Sequence, residues 1–272
     1  MVVQHNLTAM NSNRMLGVTT KSQAKSTEKL SSGYKINRAA DDAAGLAISE
    51  KMRRQIRGLT QASANAQDGI SCVQTAEGAL NEVHDMLQRM NELAVKAANG
   101  TNQSEDRSYI NLEVQQLKSE IDRVSTTTTF NERMLLNGTF KSVSLQVGAE
   151  GLSTNRITIS IKSINTKGLS LTPTSVSTQA KAQSAITEIK NAIKTLNKQR
   201  AELGAYQNRL EHTINNLDNV VENTTSAESS IRDTDMASEM VRYSNNNILA
   251  QAGQSMLAQA NQANQGVLSL LQ

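Results

Sequence analysis

The side chains that could perform acid–base chemistry are few in this chain, and the most suggestive pair is Asp41 and Asp42. Adjacent carboxylates can divide the roles of general acid and general base when their environments differ. This pair, however, directly precedes an alanine-rich stretch with helical periodicity. A carboxylate in that place caps the first turn and interacts favourably with the helix dipole. We therefore interpret Asp41 and Asp42 as the start of a helix.

The remaining reactive side chains lack the spacing that a metal site or a nucleophilic mechanism requires. His5, His84 and His212 are far apart and form no H-E-x-x-H pattern. The single cysteine, Cys72, excludes an internal disulfide and a cysteine-rich metal site, and its place beside an apolar helical position predicts a small buried or half-buried residue. No phosphate-binding glycine loop, nucleophile elbow or calcium loop occurs. The sequence therefore predicts a protein that is not an enzyme and has no catalytic, metal or cofactor site.

The charge distribution argues against nucleic acid and lipid as binding partners. The 272 residues carry 28 basic and 25 acidic side chains, and the resulting net charge of +3 is too small for a nucleic-acid footprint. Arg53, Arg54 and Arg57 precede a heptad pattern as in basic leucine zippers, but they are too sparse to read DNA and are interpreted as a solvated face. No stretch reaches the roughly 18–20 apolar residues of a membrane helix. We expect neither a nucleic-acid partner nor membrane insertion.

Two long helices dominate the predicted architecture. Apolar side chains recur at heptad spacing in two series, which is the pattern of a helix with one buried stripe. The first series is Met52, Leu59, Ala66, Val73, Leu80, Leu87 and Ala94, and the second is Ile189, Leu196, Leu203, Leu210, Leu217, Thr224 and Ile231. Aromatic residues make up only 2% of the chain, and it contains 14 glycines and one proline. So few turns and aromatics favour an antiparallel helical bundle over a β-rich fold.

Between the two series, the sequence predicts a shorter helix followed by a β-hairpin. A run of β-branched threonines at 126–129 ends the helix, and the apolar period then changes from 3.6 to 2. The helical positions are Ile110, Val114, Leu117, Ile121 and Val124, and the alternating positions are Val143, Leu145, Val147, Ile157, Ile159 and Ile161. Because an isolated hairpin is marginally stable, we expect its apolar face to lie on the helices.

The two ends of the chain combine helical apolar spacing with a near absence of charge. After Arg242 no charged side chain occurs through to Gln272, and the first 20 residues are similarly rich in Asn, Gln and Ser. Fraying is one interpretation, since termini are poorly ordered unless tied down. Disordered tails are usually charged and poor in apolar residues, however, so we favour burial against other copies of the chain. The candidate self-assembly residues are Leu7, Met10, Met15, Val18, Leu249, Met256, Val267, Leu268, Leu270 and Leu271.

Several long runs of the sequence resemble bacterial flagellins. They include NSNRMLGV, KLSSGYKINRAADDAAGLAISEKMR, LQRMNELAVKAANGTN, EIDRVSTTTTFN, LGAYQNRLEHTINNL and ILAQAGQSMLAQANQANQGVLSLLQ. The similarity extends over residues 1–160 and 185–272, in order and tied to both ends of the chain. Only a short interval, residues 163–180, separates the hairpin from the returning helix. The chain is therefore similar to a short flagellin that lacks the outer variable domains.

The resemblance implies a mainly α fold: a long antiparallel helical bundle or coiled-coil rod with one small β-hairpin, whose terminal helices pair as a coiled coil on assembly. Residues 1–42 and 233–272 would form the inner filament core and be disordered in the monomer. Residues 43–180 would hold the rod helices and the hairpin, which is expected at about 140–162, and residues 181–232 the returning rod helix. The implied function is that of a structural subunit that polymerises into the flagellar filament for motility.

The same resemblance implies how the chain leaves the cell and what it binds. The N-terminal stretch lacks a basic segment followed by an apolar one, so we expect no cleaved signal peptide. The resemblance implies type III export and an extracellular place in the flagellum. The implied partners are other copies of the chain in a helical homopolymer, an export chaperone at residues 249–271, and the flagellar cap and hook–filament junction proteins. The alternative is a soluble helical adaptor that pairs with other coiled coils and never polymerises.

Animal Toll-like receptor 5 recognises many flagellins through the rod, and the resemblance places this contact on Gln88, Arg89, Leu93 and Glu113. Leu87 and Ala94 occupy heptad positions, which leaves Arg89 and Leu93, spaced i, i+4, on a neighbouring face. From the spacing alone, Arg89 is an ordinary solvated side chain. The match to the family pattern LQR-x-x-ELAV favours receptor contact instead.

Overall fold

In the computed structural model, the backbone is described for residues 6–269 and the side chains for residues 6–263. The described helices are α1 (Leu7–Ser32), α2 (Ala43–Ala98), α3 (Ser104–Thr127), α4 (Gln179–Arg232) and α5 (Met236–Ser269). The short strands are β1 (Thr129–Phe130), β2 (Arg133–Met134), β3 (Val143–Gln146) and β4 (Arg156–Ile159). The mainly helical fold with a small hairpin is confirmed. The chain divides into two compact units: a terminal unit, formed by residues up to 54 and from 223 onward, and a central unit, formed by residues 55–222.

The central unit is built on α2 and α4, which run antiparallel. Ser63 Oγ of α2 donates a hydrogen bond to Asp218 of α4 (3.2 Å), whereas Glu77, further along α2, pairs with Arg200, which comes earlier in α4 (3.7 Å). Burying one Leu or Val side chain contributes about 1.5–3 kcal/mol, so a continuous apolar seam between these helices stabilises the unit strongly. The fully buried heptad residues of that seam are Val73, Leu80 and Leu87 on α2 and Leu196, Leu203 and Leu210 on α4.

The β3–β4 hairpin packs its apolar face on α2, as the alternating pattern predicts. Val143 pairs with Ile159 and Leu145 with Ile157 across the antiparallel strands. Ile157 and Ile159 are buried, and Leu145 lies so close to Gly69 of α2 that a Cβ at this position would overlap with its side chain. The absence of a side chain at Gly69 therefore lets the hairpin approach the helix.

A second strand pair, β1 with β2, was not predicted from the sequence. Its two connecting residues, Asn131 and Glu132, both have positive φ angles, 47° and 63°. That backbone conformation suits a two-residue hairpin turn, where Asn-Gly is the favoured sequence. Glu at the second position gives no such signal, and strands of two residues are too short to show alternation.

A polar stripe of α3 holds the irregular segment 163–178 in place. The backbone N–H and the hydroxyl of Thr166 both donate hydrogen bonds to the Asp122 carboxylate, and each bond is 2.8 Å long. Lys118 Nζ donates to the carbonyl oxygens of Thr172 (3.0 Å) and Thr174 (3.2 Å). Burial lowers the pKa of the Lys118 ammonium group, while the charge of nearby Asp122 opposes that shift. Side chains beside the apolar stripe of α3 thus position a segment that has no regular secondary structure.

The interpretation of Asp41 and Asp42 as a helix start is confirmed. Asp42 Oδ1 accepts a hydrogen bond from the backbone N–H of Gly45 (2.9 Å) in the first turn of α2. Asp41 Oδ2 accepts from the backbone N–H groups of Arg38 (3.1 Å) and Asn37 (3.3 Å). The hydrogen bond from Arg38 contributes most to lowering the pKa of the Asp41 carboxyl. Both carboxylates are thus engaged by backbone donors near the start of α2.

Candidate self-assembly surface

The terminal unit consists mainly of α1 packed along α5. Asn6 accepts a hydrogen bond from the backbone N–H of Ala9 at the start of α1, and its Nδ2 donates to the carbonyl oxygen of Ala260 (3.0 Å). Further along α1, Leu16 lies against Gly253, where a Cβ would be 3.3 Å from its Cδ1 atom. The residue numbers of the two helices run in opposite directions, so the pair is antiparallel.

This helix pair leaves most of its large apolar side chains in solvent. By contrast, Ile36 and Ala250 are the only buried apolar residues among those described in the terminal unit. Ten large apolar side chains of the pair are at least half exposed: Leu7, Met10, Met15 and Val18 on α1, and Met236, Met240, Val241, Ile248, Leu249 and Met256 on α5. The terminal unit therefore lacks a substantial apolar core, and its exposed apolar surface is of the kind that marks an interaction site.

The sequence identified part of this surface. Six predicted assembly residues are described and exposed: Leu7, Met10, Met15, Val18, Leu249 and Met256. The other four, Val267, Leu268, Leu270 and Leu271, lie outside the residues whose side chains the structure describes. Met236, Met240 and Val241 were missed because charged neighbours, Glu239 and Arg242, interrupt the uncharged pattern there. Their helical spacing would have indicated them.

A groove of about 330 Å³ between α1 and α5 runs through this surface. Met15 and Leu16 of α1 and Leu249 and Met256 of α5 supply its apolar lining, and the other lining residues are small or uncharged. An apolar side chain of another molecule can enter such a groove without removing a charge from water, which would cost several kcal/mol. Within residues 6–269, every helix falls short of the length and hydropathy that a bilayer crossing demands.

Several charged side chains of the terminal unit meet at a junction around Tyr34. The Arg232 guanidinium lies 4.8 Å from the centre of the Tyr34 ring, and its Nη1 is 2.6 Å from Glu50 Oε1. Arg53 lies 5.9 Å from the same ring. The backbone N–H of Lys35 donates to the carbonyl oxygen of Arg232 (2.6 Å), which ties the residues after α1 to the end of α4. Cation–π contacts and a charge-assisted hydrogen bond thus join segments that are distant in sequence.

The residues expected to contact a receptor form a polar patch on α2 and α3 of the central unit. Arg89 Nε donates to Glu113 Oε1 (2.9 Å), and Arg89 Nη1 donates to Glu92 Oε2 (3.1 Å). The hydrogen bond to Glu113 is the main cause that raises the pKa of Arg89, so the guanidinium stays charged. Gln88 is exposed beside this pair, and its Nε2 lies 2.7 Å from Nε2 of His84. The structure therefore brings Gln88, Arg89 and Glu113 together on one exposed surface.

Leu93 does not share that exposure, and the expectation that it lies with Arg89 on a neighbouring open face is wrong. Only 3% of Leu93 is exposed, because α2 packs against both α3 and α4 and buries more than one heptad column. Cys72 is buried in the same core, as predicted, and burial raises the pKa of its thiol above the ordinary value.

These structural features recur in known proteins. The family model of the bacterial flagellin N-terminal helical region matches residues 3–141, and that of the C-terminal helical region matches residues 186–271. The chain is 54% identical over 271 residues to a flagellin of Halalkalibacterium halodurans and 50% identical over 286 residues to the flagellar filament 31.3 kDa core protein of Treponema maltophilum, in both cases over the full length of both proteins. A crystal structure of Bacillus cereus flagellin is 36% identical, with a TM-score of 0.50 over 57% of this chain and 88% of that one.

The fold and the exposed surface define a helical structural protein whose two ends pair and present apolar side chains to solvent. The chain belongs to the bacterial flagellin family. This is a family of structural subunits of the flagellar filament and not an enzyme family. The two matched helical regions contain both α1 and α5, so the candidate assembly surface lies within the parts of the chain that carry the family relationship.

Proposed function

We propose that this chain polymerises with copies of itself into an extracellular flagellar filament that serves motility. The observation that carries the proposal is the exposed apolar surface of the terminal unit, formed by α1 and α5. Fully burying one Leu or Met side chain contributes about 1.5–3 kcal/mol, so several together offset the roughly 4–15 kcal/mol cost of immobilising a subunit. Contacts between different surfaces of identical subunits generate an open helical polymer when the rotation that relates the subunits does not close a ring.

Assembly is coupled to ordering of the terminal segments, residues 1–42 and 233–272, which form the inner filament core. Two features support this part of the proposal: the described terminal unit buries few apolar side chains, and residues 243–272 carry no charge that would have to be removed from water. A segment that orders only on binding bears its entropy cost at that moment, and burial of apolar surface in the filament offsets it.

Seeded polymerisation tests the proposal against the alternative of a soluble adaptor. Purified monomer is mixed with short filament seeds under salting-out conditions, which strengthen apolar association. Electron microscopy and circular dichroism then follow filament length and helicity in the same tube. We expect long uniform filaments together with a rise in helicity. A chain that stays monomeric at constant helicity despite intact ends would favour the adaptor.

Before assembly, the same apolar surface requires protection, and we place an export chaperone on residues 249–271. The uncharged helical pattern of this segment and its exposed Leu249 support the assignment. Export through a flagellar type III channel would then deliver the subunit to the filament end, where the cap and hook–filament junction proteins are the further partners. Failure of the purified monomer to form a complex with its cognate chaperone would contradict this assignment.

We further propose that Toll-like receptor 5 binds the exposed patch of Gln88, Arg89 and Glu113. The family pattern around Arg89 supports this, and so does the geometry of the patch, since Arg89 is held in a fixed orientation by two carboxylates. A buried interfacial arginine is a frequent hot spot in protein complexes. Leu93, buried in the monomer, would contribute by supporting the helix rather than by direct contact.

Replacing Arg89 tests the receptor proposal. Arg89→Ala is expected to weaken binding to the purified receptor ectodomain about 10- to 30-fold, because hot-spot arginines contribute about 2 kcal/mol. Arg123→Ala is the matched control, since Arg123 on α3 is also exposed and also pairs with a nearby glutamate, Glu120. Surface ion pairs add little to stability, so both variants should fold normally. Equal affinities of the two variants in a surface binding assay would refute the assignment.

A further inference from the structure

The tripeptide Asn-Gly-Thr occurs twice, at residues 99–101 and 137–139, in two different structural environments. An asparagine followed by glycine can convert spontaneously to aspartate or isoaspartate through a cyclic imide. The conversion needs only water as co-reactant. We propose that the structure makes Asn99 a site of this modification and protects Asn137, although the two tripeptides are identical.

The reaction begins when the backbone amide of Gly100 loses its proton and its nitrogen attacks Cγ of Asn99. A new C–N bond closes a five-membered succinimide ring, the bond from Cγ to Nδ2 breaks, and ammonia leaves with the transferred proton. Water then opens the ring at either of its two carbonyl carbons. One opening gives aspartate, and the other gives isoaspartate, in which the backbone passes through the former side chain.

The surroundings of Asn99 favour the first step. The negative charge of the deprotonated Gly100 amide spreads onto the carbonyl oxygen of Asn99, which accepts a hydrogen bond from Arg107 Nη2 (3.0 Å). A hydrogen bond from a cation stabilises the anionic form of its acceptor and therefore eases deprotonation. Arg107 is fixed in this position because its Nε also donates to the carbonyl oxygen of Ala97 (3.0 Å). Arg107 is thus a positioning residue for the reaction.

Asn99 also has the freedom that ring closure requires. It is exposed and follows the last residue of α2, and its Oδ1 lies 3.5 Å from the backbone nitrogen of Thr101, at the limit of a hydrogen bond. A Cβ built on Gly100 would meet only Gln179 Nε2, at 3.8 Å, so the backbone around it is not closely packed. The side chain can therefore turn toward the Gly100 nitrogen.

The side chain of Asn137 is held by hydrogen bonds, and the glycine that follows it is held by packing. Its Oδ1 accepts from both the backbone N–H (2.9 Å) and the hydroxyl (2.6 Å) of Thr139, and its Nδ2 lies 3.0 Å from the Met134 sulfur. Gly138 has a φ of +90° and is packed against Ser163, whose Cβ would be 2.9 Å from a Cβ at this glycine. The rotation that brings Cγ to the next backbone nitrogen would break these hydrogen bonds and disturb this packing.

Conversion of Asn99 would give each subunit a new negative charge at the end of α2. A carboxylate there is unfavourable for the helix dipole but lies near the Arg107 guanidinium, and isoaspartate would also lengthen the connection between α2 and α3 by one backbone carbon. Because the fraction of converted subunits grows with time, the modification would distinguish older from newer protein.

Mass spectrometry of the aged, folded chain tests the proposal. After incubation in mildly alkaline buffer, trypsin releases the two sites in separate peptides, residues 97–107 and residues 134–141. We expect the amide-to-acid conversion to be at least about 10-fold faster at Asn99, the factor that one charge-assisted hydrogen bond supplies. The control is the same measurement on a chain digested before ageing, in which the two rates should agree. Equal rates in the folded chain, or faster conversion of Asn137, would overturn the proposal.

The role of Arg107 has a separate test. Arg107→Gln keeps an amide donor but removes the cation. It also removes a trypsin cleavage site, so the peptide that contains Asn99 then extends to Lys118. The rate at Asn99 should fall several-fold with the melting temperature unchanged. Asn99→Gln removes the five-membered ring chemistry at this position and should abolish the fast conversion at residue 99. A rate that stays constant or rises in Arg107→Gln would show that Arg107 does not assist the reaction.

Discussion

Met256→Glu is expected to stop filament growth while leaving the monomer folded. Met256 is 59% exposed in the monomer and lines the uncharged groove between α1 and α5, so a carboxylate there remains hydrated until assembly. Burying it in an apolar contact without a partner would cost about 3–5 kcal/mol. The critical concentration for seeded growth should therefore rise by at least about 100-fold, since each 1.4 kcal/mol corresponds to a factor of ten.

Leu152→Glu provides the matched control for this variant. Leu152 is 60% exposed, and it lies between β3 and β4 in the central unit. The two substitutions introduce the same charge at apolar positions of almost equal exposure. Normal growth of Leu152→Glu beside failure of Met256→Glu would assign assembly to the α1–α5 surface. Normal filaments from Met256→Glu would remove that assignment.

The heptad columns were predictable because the sequence repeats them over many turns. Positions such as Leu80 and Leu203 recur at a spacing that one helix face requires, and the structure buries both completely. The hairpin was predictable for the same reason, since alternation over β3 and β4 leaves one side apolar. The uncharged ends were informative through composition, although composition alone could not say which side chains remain in solvent.

The contacts that could not be predicted are between residues that meet in the folded chain but belong to no repeating sequence pattern. The polar residues of α3 that bind the segment 163–178, such as Lys118 and Asp122, look like ordinary solvated side chains in the sequence. Tyr34 and Arg232 are almost 200 positions apart in the sequence, and no local pattern predicts their contact. Leu93 was misplaced because a heptad analysis assumes one partner helix, whereas α2 is covered from two sides.

The two units differ in how much of their apolar surface they bury. The central unit encloses most of its large apolar side chains among α2, α3, α4 and the hairpin, which is what an independently stable fold requires. The terminal unit leaves comparable side chains exposed, and the residues that line its groove are uncharged. The proposed assembly therefore uses an apolar surface different from the one that stabilises the folded central unit.

Two leucine-to-alanine variants should separate folding from assembly. Leu196→Ala removes a fully buried side chain from α4 in the central unit, and such truncations typically cost about 2–5 kcal/mol of unfolding free energy. For a chain of this size, each kcal/mol corresponds to about 2–4 °C, so the melting temperature measured by circular dichroism should fall by roughly 5–15 °C. The folded fraction at ambient temperature should still bind filament seeds.

Leu249→Ala makes the same chemical change on the assembly surface, where the side chain is more than half exposed in the monomer. Its melting temperature should match that of the parent chain, since exposed substitutions usually change stability by no more than about 0.5 kcal/mol. Its critical concentration for growth should rise about 10-fold, because the truncated side chain contributes less apolar surface to the filament. If Leu249→Ala lowered the melting temperature as much as Leu196→Ala, Leu249 would belong to a core of the monomer, and the division of roles between the two units would be wrong. Opposite profiles of the two variants can arise only if folding and assembly use separate apolar surfaces.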